Sequence, residues 1–283
     1  MKIHLTELLA CPKCANKLNY QGTNLELNIQ DGKLTCEGCE AVWETVEGIP
    51  HLLDSPTGTA PSAMSRISGV FHKPMVRWGL PIIQGGGGMC AVRTATIKKL
   101  DLGSIQSTED SPARILEVGF ATGSNLSRVR NNIPANIDVE VWGLDSNVGL
   151  MAHAQKGFET PDFEQPANLV GADPQHMPFP DSTFDRVFHI GGLAQFSDPD
   201  AVLAEMIRVA KPNAPVVVVG KRLAPESKNS PVFGATFKLY SGAGGDPDNL
   251  LHQLPDDTQH AAEEQLSRFY YCLSFSAPKE ASA

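Results

Sequence analysis

Four cysteines near the N-terminus stand in two C-x2-C pairs, Cys11-Pro12-Lys13-Cys14 and Cys36-Glu37-Gly38-Cys39. A C-x2-C turn aims two thiolates at one centre, and two such turns complete a tetrahedral site with Zn–S bonds of about 2.3 Å. The 21 residues between the pairs lie just beyond the roughly 15–20 usual for such zinc sites. With four thiolates no coordination position stays open, so the expected metal is structural. A disulfide pair and a redox C-x2-C compete with this reading. A reducing compartment argues against the first, and the lack of a surrounding βαβ pattern argues against the second. A segment of this length buries too small a core to fold robustly alone, and a metal supplies what is missing.

A second set of chemistry-bearing residues begins at Glu117-Val118-Gly119-Phe120-Ala121-Thr122-Gly123. An apolar strand runs into small residues and then a helix start, where Ser124 or Asn125 could cap. Gly119 lets the backbone approach a ligand with no Cβ in the way. Alone, this G-x-A-x-G turn fits several α/β cofactor sites, a nicotinamide dinucleotide site among them. Asp145 follows about 20–25 positions later at the end of a second apolar run, where a carboxylate can accept from both ribose hydroxyls. Asp173 ends a third run, before Met177-Pro178-Phe179-Pro180-Asp181, and His189 lies at the end of a fourth. The dinucleotide reading does not account for the Asp173 and Pro178-Phe179-Pro180 block.

The elements that must position these residues are readable from periodicity. Residues 113–220 alternate apolar runs with amphipathic ones, the βαβ signature of a parallel sheet. Strands are expected at 139–144, 168–173, 186–190 and 214–220, with an amphipathic helix over 198–211 that turns Leu203, Met206, Ile207 and Ala210 to one side. Residues 268–276 read as a strand and 231–240 as another, the antiparallel pair closing the sheet, with 241–258 a loop and the end frayed. Near the N-terminus, 25–29, Asp31-Gly32 and 33–35 read as a hairpin turning at Asp31-Gly32. Residues 55–66 are small and turn-rich, a linker. Residues 67–100 are mostly helical in pattern. The apolar, aromatic 71–83 is expected to be a lid over an acceptor pocket, hinged on glycines 85–88. Packing on the sheet or on the N-terminal segment is the alternative. Cys90 and Cys272 read as ordinary core thiols.

Composition narrows the function further. The chain has 283 residues, 41% hydrophobic and 19% charged, enough apolar material for a core. No run of about 18 apolar residues is present for a membrane span, and the N-terminus does not read as a secretory signal. A cytoplasmic location is the expectation. The net charge of −9 lacks the field that attracts nucleic acid, and residues 1–54 hold four lysines against eight carboxylates.

Residues 2–54, through Leu8-Leu9-Ala10-Cys11-Pro12-Lys13-Cys14, Cys36-Glu37-Gly38-Cys39 and Glu47-Gly48-Ile49-Pro50-His51-Leu52-Leu53, resemble the Trm112-like zinc-ribbon family. That resemblance implies docking to, or stabilising, a methyltransferase. Residues 113–222 resemble class I S-adenosylmethionine-dependent methyltransferases of the quinone and small-molecule kind. The resemblance rests on the glycine turn, Leu144-Asp145, Ala172-Asp173, Met177-Pro178-Phe179-Pro180-Asp181 and Glu205-Met206-Ile207-Arg208-Val209-Ala210-Lys211-Pro212. It implies a Rossmann-like α/β fold, a seven-stranded sheet flanked by helices, with a small N-terminal zinc ribbon. The divisions would be 1–56 ribbon, 57–66 linker, 67–110 helical lid, 111–222 cofactor-binding core and 223–283 closing region.

The same resemblance implies a cofactor set of Glu117, Gly119, Ala121, Gly123, Asp145, Ser146, Asp173, Pro174, Gln175 and His189. The Gly119 and Ala121 backbone would cradle the cofactor's amino acid part, with Glu117 ordering the loop and facing the amino group through water. Asp145 would hold the ribose. Asp173 would take the adenine amino group, helped by the Gln175 N–H because Pro174 has none. His189 is the candidate general base, with a pocket-lining histidine as its bland counterpart. Three departures are Ala121 for a middle Gly, Gln195 for a His after the fourth strand, and Asn213-Ala214 for a Gly pair. The expected activity is methyl transfer to a small, partly hydrophobic acceptor. RNA methylation and a non-catalytic scaffold are the alternatives, and a homo-oligomer is left open.

Overall fold

Residues 18–52 form four antiparallel strands, β1 (Leu18–Leu25), β2 (Asn28–Cys36), β3 (Val42–Val46) and β4 (Ile49–Leu52). The computed structural model describes residues 1–53, 88–108, 111–158, 167–241 and 250–279. The 57–66 linker, the 71–83 lid and glycines 85–87 lie outside these residues. The first hairpin turns at Glu26 and Leu27, both at positive φ (48° and 65°), as a tight two-residue turn requires. The expected turn at Asp31-Gly32 is therefore corrected. Gly32 sits inside β2 opposite Gly22, and a Cβ on it would meet the Tyr20 ring at 2.8 Å. Asp31 instead accepts a 2.8 Å hydrogen bond from the Glu47 N–H, bracing the turn between β3 and β4.

The helix α1 (Gly88–Lys99) comes next. Then strands and helices alternate: β5 (Ala113–Val118), α2 (Leu126–Arg130), β6 (Val139–Asp145), α3 (Val148–Phe158), β7 (Asn168–Ala172), β8 (Arg186–Ile190), α4 (Pro199–Val209) and β9 (Pro215–Lys221). Buried on both faces, these strands read as continuous apolar runs. Val216 and Val218 pack into one core, Val217 and Val219 into the other. Asp198 caps α4 by accepting from the Ala201 N–H at 3.0 Å, with Pro199 at the first helical position.

The chain ends with α5 (Pro231–Ser241), β10 (Gln259–Ser267) and β11 (Tyr270–Ser276). The strand expected at 231–240 is a helix. Phe233, Phe237 and Tyr240 recur at helical spacing and pack on the core beside Phe269, so periodicity outweighs the local aromatic content. The antiparallel partner of β11 is β10, a mostly polar edge strand.

The sheet runs β1-β2-β3-β4-β7-β6-β5-β8-β9-β11-β10. Its last seven strands form the methyltransferase-type sheet, with β7, β6, β5, β8 and β9 parallel and β11 and β10 closing it antiparallel. The first four strands extend the same sheet, because β4 pairs in parallel with β7 (His51 opposite Gly171, Leu52 opposite Ala172). Leu5, Leu9, Leu34, Trp43 and Leu52 share a core with Leu116, Trp142 and Val170. The Ala10 N–H donates to the Pro178 carbonyl at 2.9 Å, and the Gln155 amide to the Glu47 carbonyl at 3.0 Å. The buried Arg186 fixes the end of α1, donating to the carbonyls of Leu100 (2.6 Å) and Asp101 (3.1 Å).

Candidate functional site

The four cysteine sulfurs lie within 4.8 Å of one another. Cys11 and Cys39 are 3.7 Å apart and Cys14 and Cys36 are 3.4 Å apart. A tetrahedron with Zn–S bonds of about 2.3 Å has edges of about 3.8 Å, so the thiolate set fits zinc in donor type and spacing. The N–H groups of Gly38 (3.3 Å) and Cys39 (3.4 Å) point at Cys36 Sγ, and the Asn16 amide at Cys14 Sγ (3.4 Å). Such bonds hold sulfur ligands in place and stabilise their negative charge.

The second cluster lies along the carboxyl ends of adjacent parallel strands, where open α/β sheets bind ligands. Gly119 leaves β5 at φ +74°. Its N–H and that of Phe120 both donate to the Leu144 carbonyl, at 2.8 and 3.1 Å, tying the turn to β6. A Cβ on Gly119 would stand 3.1 Å from the His189 ring. Ala121, where a glycine was expected, also has positive φ (48°) and donates its N–H to Asp145 Oδ2 at 2.8 Å. Asp145 Oδ1 accepts from the Asn147 N–H at 2.8 Å. Burial pushes the Asp145 carboxyl pKa up, and these two N–H bonds pull against that.

Asp173 follows the tip of β7. The Gln175 N–H (2.9 Å) and side-chain amide (3.1 Å) both donate to its Oδ1. The Gln175 N–H, expected to reach a ligand alongside Asp173, is thus spent on Asp173 itself in an Asx turn. Ser197 holds the far end of the Gln175 side chain at 2.9 Å. Gln195 folds back onto the Gly191 carbonyl of its own loop.

Glu117 is buried two residues before Gly119. Its Oε1 accepts from Asn125 Nδ2 at 2.6 Å, while Glu117 Oε2 and Asn125 Oδ1 have no partner. Asn125 therefore serves Glu117, and neither it nor any side chain caps α2. Burial pushes the Glu117 carboxyl up to about 8. His189 Nδ1 lies 2.8 Å from the Val118 carbonyl, which favours the proton on Nδ1, while the buried Nε2 makes no hydrogen bond of good geometry and the Gly192 backbone lies beside the ring. Burial pushes its pKa down, so the ring is neutral.

Four residues not anticipated from the sequence border this site. Lys221 ends β9, its ammonium 4.9 Å above the Tyr240 ring and its pKa pushed down by burial. The Tyr240 hydroxyl meets that of Tyr270. The charge of Arg93, on α1, is felt by Glu117. All four lie outside the quoted motifs, and only the folded chain brings them to the strand tips. Cys90, expected in the core, is exposed and accepts from Arg128 at 3.0 Å, while Cys272 is buried as expected. A cavity of about 480 Å³, lined by Leu203, Ile207, Pro212, Pro255 and Pro278, contains none of these strand-tip residues.

Residues 115–213 match the family described as methyltransferase domain, and residues 2–42 match the Trm112p-like protein family. The chain joins a class I S-adenosylmethionine-dependent methyltransferase domain to a Trm112-like N-terminal region. This methyltransferase is 27% identical over 210 residues to a ubiquinone/menaquinone biosynthesis C-methyltransferase of Ralstonia pickettii (strain 12J), covering 72% of this chain and 81% of that one. It is 27% identical over 152 residues to a phosphatidylethanolamine N-methyltransferase of Cereibacter sphaeroides, covering 54% of this chain and 72% of that one. A solved structure of Haemonchus contortus phosphoethanolamine N-methyltransferase 2 in complex with S-adenosyl-L-methionine shares the fold, with a TM-score of 0.55 at 13% identity. It covers 83% of this chain and 62% of that chain. Among the described residues, no helix is long and apolar enough to cross a membrane.

Proposed function

We propose that this chain transfers a methyl group from S-adenosylmethionine to a small, partly hydrophobic acceptor by in-line displacement. The observation that carries this reading is the succession of Gly119, Asp145, Asp173 and a neutral His189 on adjacent strand tips, beside a turn where a Cβ on Gly119 would crowd the His189 ring. Bound S-adenosylmethionine supplies a methyl group on a sulfonium, already activated for displacement. The protein's part is to hold the reacting atoms collinear at near-attack distance, an effect worth up to about 7–11 kcal/mol. In this reading the turn at 119–123 and Ser146 line the cofactor, Asp145 takes the ribose hydroxyls and Asp173 the adenine amino group. The lone pair on His189 Nε2 accepts the proton of a phenol or amine acceptor.

The names of the relatives, a quinone-pathway C-methyltransferase and a phosphatidylethanolamine N-methyltransferase, support an amphipathic acceptor. The Lys221, Tyr240 and Tyr270 group gives the acceptor side aromatic walls and one cation. The net charge of −9 disfavours RNA. The four-thiol cluster holds a structural zinc in this reading, and its reduced cysteines suit the cytoplasm. Calorimetric titration with S-adenosylmethionine and S-adenosylhomocysteine tests the proposal. Micromolar binding of both is expected, and the absence of heat and of any thermal shift would leave a scaffold role.

A further inference from the structure

Arg93 lies on α1 within one turn of Cys90, whose sulfur accepts from Arg128 Nη2 at 3.0 Å and so ties α1 to α2. The charged and titratable groups facing the Arg93 guanidinium are Arg128, Glu117, Tyr270 and Cys90. None of them is a good counter-ion. Arg128 carries the same charge, the Tyr270 phenol is pushed far up by burial, and Glu117, at about 8, holds its proton at neutral pH. The Arg93 Nε is buried with no partner.

Two more buried polar atoms without partners, Glu117 Oε2 and Asn125 Oδ1, belong to the Glu117 end of the site, where Oε2 carries the proton while the site is empty and becomes an acceptor once that proton leaves. Three buried polar atoms left unpaired are costly together. A ligand that answers all three must present an anion and a cationic donor a few ångströms apart. An α-amino acid zwitterion does that, and the Gly119 turn next to Glu117 is where the backbone admits one.

We propose that Arg93 binds the α-carboxylate of the cofactor's amino acid group and, with Glu117 on the α-ammonium, forms a two-sided clamp for the zwitterion. The inference deepens the cofactor reading above and depends on it. Arg93 precedes the 115–213 span matched by the methyltransferase family. The guanidinium forks to the carboxylate in the geometry that makes such pairs strong. The ammonium draws Glu117 into its ionised form, so loading releases a proton from the protein near neutral pH.

The test compares three ligands by calorimetry: S-adenosylmethionine, its decarboxylated form, and 5′-methylthioadenosine, which lacks the amino acid part. The wild type is expected to favour S-adenosylmethionine over the decarboxylated form by roughly tenfold or more. Arg93→Met should abolish that preference, weakening S-adenosylmethionine about tenfold while leaving the other two within about twofold. Arg93→Lys should restore part of the preference. Because the buried Arg93 Nε has no partner in the ligand-free protein, Arg93→Met should melt no lower than wild type. If Arg93→Met does not fold, Arg93→Gln carries the same comparison. A preference that survives in the variant, or equal loss of all three ligands, overturns the clamp. If the wild type binds none of the three, the cofactor reading itself falls and takes the clamp with it.

Discussion

Replacing Glu117 with glutamine should remove most of the alkaline destabilisation of the ligand-free protein. Burial moves this carboxyl from an ordinary 4.5 to about 8; the Asn125 hydrogen bond and the Arg93 charge oppose the move, and Asp145 adds to it. In the unfolded chain the group loses its proton near the ordinary value. Between the two values the folded state keeps a proton that the unfolded state has released, so stability falls as pH rises through this window and levels off above it. The full interval corresponds to on the order of 5 kcal/mol, and the span from about pH 5.5 to about pH 8.5 captures about 3 kcal/mol of it. Glutamine keeps the shape and the acceptor for Asn125 but cannot ionise. Urea unfolding of the metal-loaded protein, followed by tryptophan fluorescence with Trp43 and Trp142 both buried in the folded state, measures the difference at the two pH values. Across the span the wild type should lose about 3 kcal/mol more than Glu117→Gln. His189 does not confound the comparison. Its lowered pKa weakens the fold below the ordinary histidine value, on the acid side, and equally in both proteins. Parallel losses in the two proteins would refute a buried, protonated Glu117.

Three further outcomes are expected. Asp145→Ala should weaken S-adenosylhomocysteine binding at least about tenfold by calorimetry, because it removes both the proposed ribose acceptor and the partner of the Ala121 N–H. Elemental analysis should find one zinc per chain, and stripping it with a chelator should lower the melting temperature of the whole chain, since β4 is hydrogen-bonded into the central sheet. Gly143→Ala should destabilise the fold by about 1–3 kcal/mol in urea unfolding. Its Cβ would meet the Phe120 ring at 2.5 Å, so the glycine turn must shift, and cofactor affinity should fall with it.

The central strands were legible in the sequence because a strand buried on both faces leaves an unbroken apolar run, as Val216 to Val219 do. The strand β10 was not, because an edge strand with alanines and glutamates between its apolar positions resembles a loop. In α5 the aromatic residues favour a strand by type, while the three-four spacing of Phe233, Phe237 and Tyr240 is helical and matches the structure. Asp31-Gly32 looked like a turn by residue type, yet its neighbours Tyr20 and Glu47 give those two residues other work. At the site, the motif residues were legible as a series. The pairing of Asn125 with Glu117, the Asx turn at Asp173 and the approach of Arg93 depend on contacts between separate elements, which no local pattern encodes.

The junction of β4 with β7 also bears on how the chain must be made. The ladder from β1 to β4 is local and can form as soon as those residues leave the ribosome, but the partners of His51 and Leu52 are Gly171 and Ala172, nearly the length of a domain downstream. At about 5–20 residues per second, synthesis leaves β4 as an open edge for on the order of ten seconds. Ile49 and Leu52, both buried in the finished protein, are exposed throughout that interval. An edge left open during synthesis is a site for pairing with other chains, so translation speed bears on the fate of the nascent protein alongside final stability.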